Sequence, residues 1–383
     1  MLVRKFKITQ LVVCMLTVAT LSFADLFLGT KVVFGDATDY PTIGPLPQKK
    51  VPRASEVEMG KRLFFDARIS GDGALSCATC HDPENGFTTT RSLSEAYPGT
   101  DYFRNSLSLI NTRYKEDFAD IGWGWEGRLG ANLNDVMRDQ LTESTIMNMD
   151  MRIMHERLKQ DPVYVKMCAE NYGSDCSSSM ARKALVAFVE SLVIADTAFD
   201  RGELSRSAKR GRKLFEGKAQ CITCHNGPYF SDGKPHNTGI PEDLSIFTDP
   251  VRHLTYRSVL HTYGVPNMKV WRRDVGYFLV SKNYDDVGKF ITPTLREISY
   301  TAPYMHNGAL NTLAEVVEYY NSGGNSADDP MQVELEPLGL SSREKRDLLS
   351  FLESLSSENA LTKERMSIPQ SYEPIPNWLE TKN

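Results

Sequence analysis

The hydrophobic positions of this chain recur mostly with the period of an α-helix. Between Met180 and Phe199, four apolar residues fall on one helical face: Leu185, Phe188, Val189 and Leu192. Near the other end, Ser341 and Glu344 form a capping-box signature, and a stripe of leucines follows it (Leu348, Leu349, Leu352 and Leu355). Strand-like alternation is scarce. The pattern therefore predicts a mainly α-helical fold.

The first residues have a different pattern. Three basic residues, Arg4, Lys5 and Lys7, lie near the start of the chain. An apolar run from Leu11 to Leu21 follows, and small residues end at Ala24. This order is typical of a secretory signal peptide, so we expect residues 1–24 to be removed and the protein to be periplasmic. An uncleaved membrane anchor is the alternative, against which Asp25 and Lys31 argue. We expect no membrane span in the mature chain.

Two short motifs carry the candidate chemistry. They are Cys77-Ala78-Thr79-Cys80-His81 and Cys221-Ile222-Thr223-Cys224-His225. Two thiols three positions apart can add to the two vinyl groups of a haem, and the adjacent imidazole can bind the iron. A zinc site or a redox dithiol is the alternative, but neither requires the final histidine. The sequence therefore predicts two covalently bound haem c groups, with His81 and His225 as iron ligands.

The chain also repeats itself around these motifs. Gly60-Lys61-Arg62-Leu63-Phe64 precedes the first motif, and Gly211-Arg212-Lys213-Leu214-Phe215 precedes the second. We therefore expect two cytochrome c-like helical domains, each with one covalently bound c-type haem. The expected division is an N-terminal domain at 25–200, a C-terminal domain at 201–360 and a tail at 361–383.

Charge and cysteine content narrow the picture. The full chain has a net charge of −5, and loss of a basic signal peptide makes the mature form more acidic. Nucleic acid is therefore not an expected partner. Of the seven cysteines, four belong to the haem motifs and Cys14 to the signal peptide. The remaining pair, Cys168 and Cys176, is expected to form a disulfide, with two buried free thiols as the alternative.

Further motifs lie between and after the haem motifs. They are Trp125-Glu-Gly-Arg, His236-Asn-Thr-Gly, Thr292-Pro-Thr-Leu-Arg and Thr301-Ala-Pro-Tyr-Met-His-Asn-Gly. Together with the haem motifs and Ser70-Gly-Asp-Gly, they resemble the bacterial di-haem cytochrome c peroxidase family over nearly the whole mature chain. The resemblance implies a di-haem oxidoreductase that reacts with hydrogen peroxide.

The resemblance makes the sixth iron ligands informative. In the peroxidase branch a second histidine binds the first haem, but no histidine lies between His81 and His155 here. We therefore expect the first haem to have an open face. We expect His155 to be a solvated or packed residue and not an iron ligand. The family's methionine position on the second haem falls on Tyr320, as in the MauG-like branch, and Tyr319 is the off-by-one alternative. Without the resemblance, the helical spacing of Tyr320 would indicate core packing.

Three further roles follow from the resemblance. Trp125 matches the tryptophan that relays electrons between the haems, although a tryptophan packed in a turn is the alternative. The side chain of Asn105 and the carbonyls of Thr301 and Pro303 match calcium ligands, and oxygen donors suit that cation. Glu143 is the candidate acid-base group for peroxide cleavage, because Ile146 stands at the family's carboxylate position. A surface carboxylate is the alternative account of Glu143.

The resemblance also frames the function. It implies a high-valent (ferryl) di-haem state formed with hydrogen peroxide, and a phenolate ligand suits a haem that stores oxidising power. Our leading hypothesis is a MauG-like enzyme that oxidises tryptophan on a partner protein by long-range electron transfer, in the methanobactin-related case to kynurenine. One alternative is a cytochrome c peroxidase that takes electrons from a small c-type cytochrome or cupredoxin. The other is a non-enzymatic di-haem electron carrier. The segment from Thr248 to Asp274 is a candidate contact surface, with a solvated loop as its alternative.

Overall fold

The computed structural model describes residues 40–117, 121–324 and 333–358. Within these ranges the fold is mainly helical, as predicted, with two short antiparallel strand pairs. The helices are α1 (Ala54–Phe64), α2 (Cys77–Cys80), α3 (Leu133–Thr142), α4 (Met151–Gln160), α5 (Pro162–Tyr172), α6 (Ser178–Ser191), α7 (Arg206–Glu216), α8 (Ser245–Thr248), α9 (Pro250–Thr262), α10 (Phe278–Ser281), α11 (Leu313–Asn321) and α12 (Ser342–Glu353). Strand β1 (Glu95–Ala96) pairs with β2 (Thr100–Asp101), and β3 (Pro235–His236) pairs with β4 (Phe290–Ile291).

Capping residues define where several helices near the site begin. Ser341 and Glu344 form the predicted reciprocal capping box at the start of α12. Thr312 and Glu315 form another at the start of α11. Asn132 accepts a hydrogen bond from a backbone N–H of the first turn of α3. The caps of α3 and α11 each accept a hydrogen bond from a backbone N–H of the first turn, so both helices start at defined positions.

Helix α1 packs closely against α6 because Gly60 has no side chain. A Cβ at Gly60 would collide with the backbone oxygen of Ala184. Next to this contact, the rings of Phe64, Phe87 and Phe188 meet with centroids between 5.0 and 6.3 Å apart. Cys77 packs against this core. The first helix pair therefore forms the base on which the first haem motif rests.

Helices α7 and α12 repeat this arrangement. A Cβ at Gly211 would collide with the backbone oxygen of Asp347. The rings of Phe215, Phe230 and Phe351 meet with centroids between 5.2 and 6.5 Å apart, and Cys221 packs against their core. The sequence repeat around the haem motifs is therefore also a repeat of helix packing.

The repeat extends to the chain beyond each helix pair. Asn111 donates its backbone N–H to Leu192 O at 2.8 Å, and its side-chain oxygen accepts from Ile194 N at 2.9 Å. Glu297 makes the same pair of bonds after α12, where its carboxylate accepts from Ser357 N at 3.1 Å. Both residues have a left-handed φ of 60°. The two halves thus use an amide and a carboxylate at equivalent places.

A third hydrophobic core lies under the segment that follows β3. Helix α9 buries Tyr256, Val259 and Leu260, and α10 buries Phe278. Phe103, from the first half of the chain, joins the same core. The candidate contact segment from Thr248 to Asp274 therefore contains a packed helix, and the solvated-loop alternative does not describe it.

A disulfide joins helix α5 to the loop that precedes α6. Cys168 is bonded to Cys176, as the sequence predicts. Closing such a short loop contributes about 2.5 kcal/mol by the chain-entropy argument. Both bonded cysteines are at most 1% exposed, so the disulfide is part of the first core.

Some expectations fall outside this description. The predicted signal peptide at 1–24 and the tail at 361–383 lie outside the described residues. None of the helices in the described ranges is long and apolar enough to cross a membrane. All described residues belong to one compact unit, so the domain boundary near residue 200 stays a prediction.

Candidate active site

The first haem motif lies on the wall of a cavity. Cys77 and Cys80, which form no disulfide, and His81 all line it. The Nδ1 atom of His81 lies 3.0 Å from Phe87 O. Because a carbonyl can only accept, Nδ1 carries the proton and Nε2 keeps its lone pair for a metal. Burial lowers the pKa of His81, which favours the neutral form that binds iron.

The second motif has the same local geometry. The Nδ1 atom of His225 lies 3.0 Å from Phe230 O, so Nδ1 carries the proton and Nε2 keeps its lone pair here too. Burial lowers the pKa of His225 as well. Phe230 and its counterpart Phe87 have left-handed φ angles of 56° and 55°. This turn aims each carbonyl at its histidine, so both imidazoles are held in one tautomer.

The residues around the first motif fit a haem. The cavity has a volume of about 310 Å³, and most of its wall is apolar, including Phe64, Leu109, Leu133, Val136, Leu185 and Val189. An apolar wall with two free thiols and one oriented imidazole suits a covalently attached macrocycle. A haem bound there would have its iron on His81 Nε2.

Helix α3 forms one part of the cavity wall, and Gln140 lies on it. Leu133, Val136 and Met137 from α3 line the cavity together with Gln140. Among the described residues on this wall, His81 is the only histidine. His155 is not among them; it lies on α4, its side chain is 34% exposed, and its Nε2 faces Glu156 at 3.8 Å. This placement agrees with the expectation that His155 is a solvated or packed residue. Gln140 is a polar group on the cavity wall that the sequence reasoning missed.

The internal repeat gives Gln140 a counterpart. Trp123 pairs with Leu129 in an isolated β-bridge, and Tyr304 pairs with Leu310 in the same way. A capped helix follows each bridge, α3 after the first and α11 after the second. Gln140 and Tyr320 both stand seven residues after the first residue of their helix. The predicted iron-binding tyrosine therefore occupies the place in the second half that Gln140 occupies in the first.

Tyr320 and Tyr319 have different surroundings. The Tyr319 hydroxyl donates to Thr238 O at 2.9 Å. Burial raises the pKa of Tyr320, and the nearby Cys224 and Cys221 thiols raise it further. Tyr320 thus lies beside the second haem motif, whereas the hydroxyl of Tyr319 is taken up by the backbone. This geometry favours Tyr320 over Tyr319 as an oxygen ligand.

Trp125 lines the cavity and is held from two sides. Its Nε1 donates to Asn105 O at 2.8 Å, and Asn105 N donates to His306 O at 2.7 Å. The ring of His306 meets that of Trp125 edge-on with centroids 6.4 Å apart, and it stacks on Phe290 at 3.7 Å. Burial lowers the pKa of His306 to about 4, so its ring is neutral near pH 7. Trp125 and His306 stand at equivalent positions, each two residues after the first residue of its bridge.

A buried group of charges lies beside the cavity. Arg104 pairs with Asp274 at 2.6 Å and with Glu126, and these side chains are at most 3% exposed. Arg128 lies 2.6 Å from Glu126 and 3.3 Å from Glu143. Burial alone would raise the pKa of Asp274, but Arg104 outweighs it and lowers the pKa. Opposite charges thus compensate one another away from water.

This network locates the predicted acid-base residue. The side chain of Glu143 is 11% exposed, and Thr145 Oγ1 approaches its carboxylate at 3.4 Å. Ile146, which stands at the family's carboxylate position, lines the cavity. Glu143 does not lie on the described wall; it contacts the cavity through Arg128. Its role in peroxide cleavage stays a prediction.

The predicted calcium ligands, Asn105, Thr301 and Pro303, all belong to the wall of the cavity. The amide nitrogen of Asn105 donates to Arg91 O at 2.9 Å, while its oxygen accepts only a long contact from Thr88 Oγ1 at 3.4 Å. A loosely bonded amide oxygen is a donor of the kind that suits a hard cation. Calcium binding itself stays a prediction.

Comparison with known proteins identifies the family. The sequence profile described as "Di-haem cytochrome c peroxidase" matches residues 54–209. The chain is 45% identical to a protein named cytochrome-c peroxidase IdrP2 from Denitromonas iodatirespirans, over 82% of this chain and 84% of the relative. The chain belongs to the di-haem cytochrome c peroxidase family. It is also 30% identical to the methylamine utilization protein MauG of Methylorubrum extorquens, over 85% of this chain and 83% of that protein.

Solved structures agree with this membership. The chain resembles a crystal structure of a MauG-like protein associated with microbial copper homeostasis, with a TM-score of 0.67, 27% identity, and coverage of 86% of this chain and 97% of the other. The di-haem peroxidase BthA of Burkholderia thailandensis has the same fold, with a TM-score of 0.63 and 21% identity over 84% of this chain and 93% of the other. Members of the di-haem peroxidase family are periplasmic c-type cytochromes. The family implies an oxidoreductase with two haem c groups and hydrogen peroxide as a reactant.

Proposed function

We propose that this di-haem family member reduces hydrogen peroxide at the haem bound by Cys77, Cys80 and His81, with electrons from a small c-type cytochrome or cupredoxin. The supporting observation is the cavity on the first motif, whose described wall has one oriented histidine and no second one. Relatives that are 45% and 40% identical carry the name cytochrome-c peroxidase. An iron with one protein ligand keeps a position for peroxide.

The chain's own residues have separate tasks in this proposal. The haem, when bound, supplies the peroxide-reactive iron. His81 would hold that iron through Nε2, and the hydrogen bond from Nδ1 to Phe87 O keeps its tautomer fixed. Gln140, which lines the cavity from α3 beside the apolar Val136 and Met137, would hydrogen-bond peroxide. Glu143 would move protons through the Arg128 network, and Trp125 would relay electrons between the two haems.

Tyr320 is our proposed sixth ligand of the second haem. It lies beside Cys221 and Cys224, and burial raises the pKa of its hydroxyl. Iron would have to displace that proton, since a metal ligand of this kind binds as phenolate. A hard anionic oxygen stabilises ferric iron and lowers the reduction potential of the haem. A second haem of this kind would retain oxidising equivalents.

This tyrosine favours a second candidate function, the oxidation of tryptophan on a partner protein. The relative of known structure that is 27% identical is described as MauG-like and associated with microbial copper homeostasis. Oxidation of tryptophan to kynurenine on such a partner was our leading expectation from the sequence. It and peroxide removal share the same peroxide site and differ in where the electrons originate.

Spectroscopy of the ferric protein tests the ligand assignment. One high-spin and one low-spin haem are expected. Tyr320→Phe should convert the low-spin signal to high spin and leave the other unchanged. Tyr319→Phe is the matched control, because its hydroxyl bonds Thr238 O. A low-spin signal that survives Tyr320→Phe, or two low-spin haems in the wild type, would contradict the assignment.

Two assays separate the candidate functions. Rapid peroxide-dependent oxidation of reduced cytochrome c supports peroxide removal. A peroxide-dependent mass change in tryptophan-containing peptides of a co-purifying protein, without such turnover, supports the second candidate. Neither activity, with both irons six-coordinate, would leave electron carriage as the function.

We also propose calcium at Asn105, Thr301 and Pro303, export to the periplasm after cleavage near Ala24, and a domain division near residue 200. A calcium chelator should slow electron transfer between the haems without releasing them, since the three residues lie on the wall with Trp125.

Mass spectrometry of protein from a periplasmic fraction reports the mature N-terminus directly. Limited proteolysis near residue 200 that releases two haem-bearing fragments would support the division.

A further inference from the structure

The segment that forms the third core has an apolar outer surface. Most of the exposed large hydrophobic residues in the described ranges belong to it: Leu244, Val251, Leu254, Val270, Val280 and Tyr284. Leu254 is 66% exposed and lies one helical turn from Val251, which is 50% exposed. Apolar side chains clustered on a surface are typical of protein interaction sites.

Basic residues accompany these apolar ones. Arg257 lies one turn from Leu254 on α9, and its Nε is buried without a hydrogen-bond partner. Arg272 donates to the backbone carbonyls of Lys269 and Trp271, and in the described ranges no carboxylate pairs with it. Besides burial, the charges of Arg272 and Arg257 lower the pKa of His253, so the two guanidinium groups share one neighbourhood. Among the residues that the structure describes, no carboxylate forms an ion pair with either guanidinium group, although the chain is acidic overall.

A row of aromatic rings leads from this surface to the cavity. The half-buried ring of Phe247, on α8, lies 5.6 Å from that of Tyr256. Tyr256 lies 5.2 Å from Phe103, and Phe103 lies 4.3 Å from Tyr102. Tyr102 lines the cavity of the first haem motif. We call Phe247, Tyr256, Phe103 and Tyr102 the aromatic row.

We propose that the outer side of α9, here named the α9 face and defined by Leu244, Val251, Leu254, Arg257 and Arg272, docks a small acidic one-electron carrier protein. Electrons from that carrier reach the first haem through the aromatic row. The proposal rests on the peroxidase function proposed above. The docking residues belong to the second half of the sequence, and the aromatic row ends at Tyr102 in the first half.

The chemistry balances with reactants already named. Each carrier molecule gives up one electron and is oxidised by one unit. Two such electrons, with two protons from water, reduce one hydrogen peroxide to two waters. No bond in the aromatic row forms or breaks, because the rings serve only as a path.

The surface fits this class of partner for two reasons. Transient electron-transfer complexes combine a small apolar contact with charges of opposite sign around it. Unpaired guanidinium groups attract a partner with a carboxylate rim and speed the encounter at low ionic strength. A basic carrier would be repelled by the same groups.

The test uses the haem-loaded full chain, hydrogen peroxide and two donors. Reduced plastocyanin, an acidic cupredoxin, is the protein donor, and reduced tetramethyl-p-phenylenediamine is a small donor that needs no docking surface. The double variant Arg257→Glu/Arg272→Glu should raise the KM for plastocyanin about tenfold and leave turnover with the small donor unchanged. The matched control is Arg206→Glu/Lys209→Glu, which makes the same charge change at exposed positions on α7. The control should leave both donors unaffected.

The aromatic row is tested at its outer end, where a substitution disturbs the core least. Phe247→Leu should lower kcat with plastocyanin about tenfold at unchanged KM, and Phe247→Tyr should restore it. Each other outcome overturns a defined statement. Unchanged plastocyanin kinetics in the α9 variant, a larger effect of the α7 control, or turnover with the small donor alone overturns the docking face. No peroxide-dependent turnover of either donor by the wild type overturns the peroxidase proposal and the docking face with it.

Discussion

The two haem-binding halves are built alike in their helix pairs and differ in the helix that faces each haem. Gly60 and Gly211 allow the same close contact, and the carbonyls of Phe87 and Phe230 orient the two histidines at the same distance. The halves then diverge at Gln140 and Tyr320. We propose that the two similar halves hold haems of different reactivity, with the side chain at this helix position, Gln140 or Tyr320, deciding whether the iron is open.

The largest expected effect tests the shared scaffold. Gly60→Ala and Gly211→Ala should each lower the free energy of unfolding by about 4 kcal/mol, since the added Cβ meets backbone that cannot move aside. Denaturant unfolding followed by circular dichroism measures this. Gly44→Ala is the control, because nothing lies within 4 Å of a Cβ there. A neutral result at one of the two glycines would mean that the halves are not packed alike.

Asn111 and Glu297 occupy equivalent buried places in the two halves, but only Glu297 can ionise. Burial raises the pKa of Glu297 to about 7 from a usual 4.5. The folded state therefore holds this proton more tightly than the unfolded state, and the carboxyl costs stability as pH rises from 4.5 through 7. Glu297→Gln should be more stable than the wild type by about 3 kcal/mol at pH 8 and nearly equal to it near pH 4.5.

The converse substitution sharpens that test. Asn111→Asp puts a carboxylate at the equivalent buried place, where the wild type has an amide. Its free energy of unfolding should fall with rising pH, whereas that of Asn111→Gln should not acquire such a slope. Parallel pH profiles for Glu297→Gln and the wild type would contradict the raised pKa.

A smaller effect is expected from the disulfide, which belongs to one half only. Replacing Cys168 and Cys176 together by alanine should lower the free energy of unfolding by about 2.5 kcal/mol. The spectrum of the haem on His225 should not change, because the clip packs in the first core. Loss of both haem spectra together would indicate that the halves do not respond separately.

The smallest expected effect concerns Gln140. Gln140→Leu should slow the reaction with peroxide about tenfold, which corresponds to about 1.4 kcal/mol in the barrier. Stopped-flow absorbance of the first haem measures the rate. Met137→Leu is the control in the same wall and should react at the wild-type rate. Equal rates for both variants would leave Gln140 without a part in the reaction, and Glu143→Gln would then be the variant to examine.

The sequence by itself determined the covalent chemistry and the local structure. Both haem motifs, the capping box at Ser341 and the disulfide partners depend on residues within about ten positions of one another, so short-range patterns suffice to find them. The repeat around Gly60 and Gly211 could likewise be found in the sequence. The family resemblance then pointed to Tyr320 without separating it from Tyr319 by any physical contact.

Only the tertiary structure decided which distant groups meet. Arg104 and Asp274 are 170 residues apart, and no pattern in either segment indicates the other. The bond from Tyr319 to Thr238, the place of Gln140 on the cavity wall and the row from Phe247 to Tyr102 all depend on how helix faces pack. Periodicity predicts that a face is buried, but the partner of that face is fixed by packing of the whole core, which no local stretch encodes.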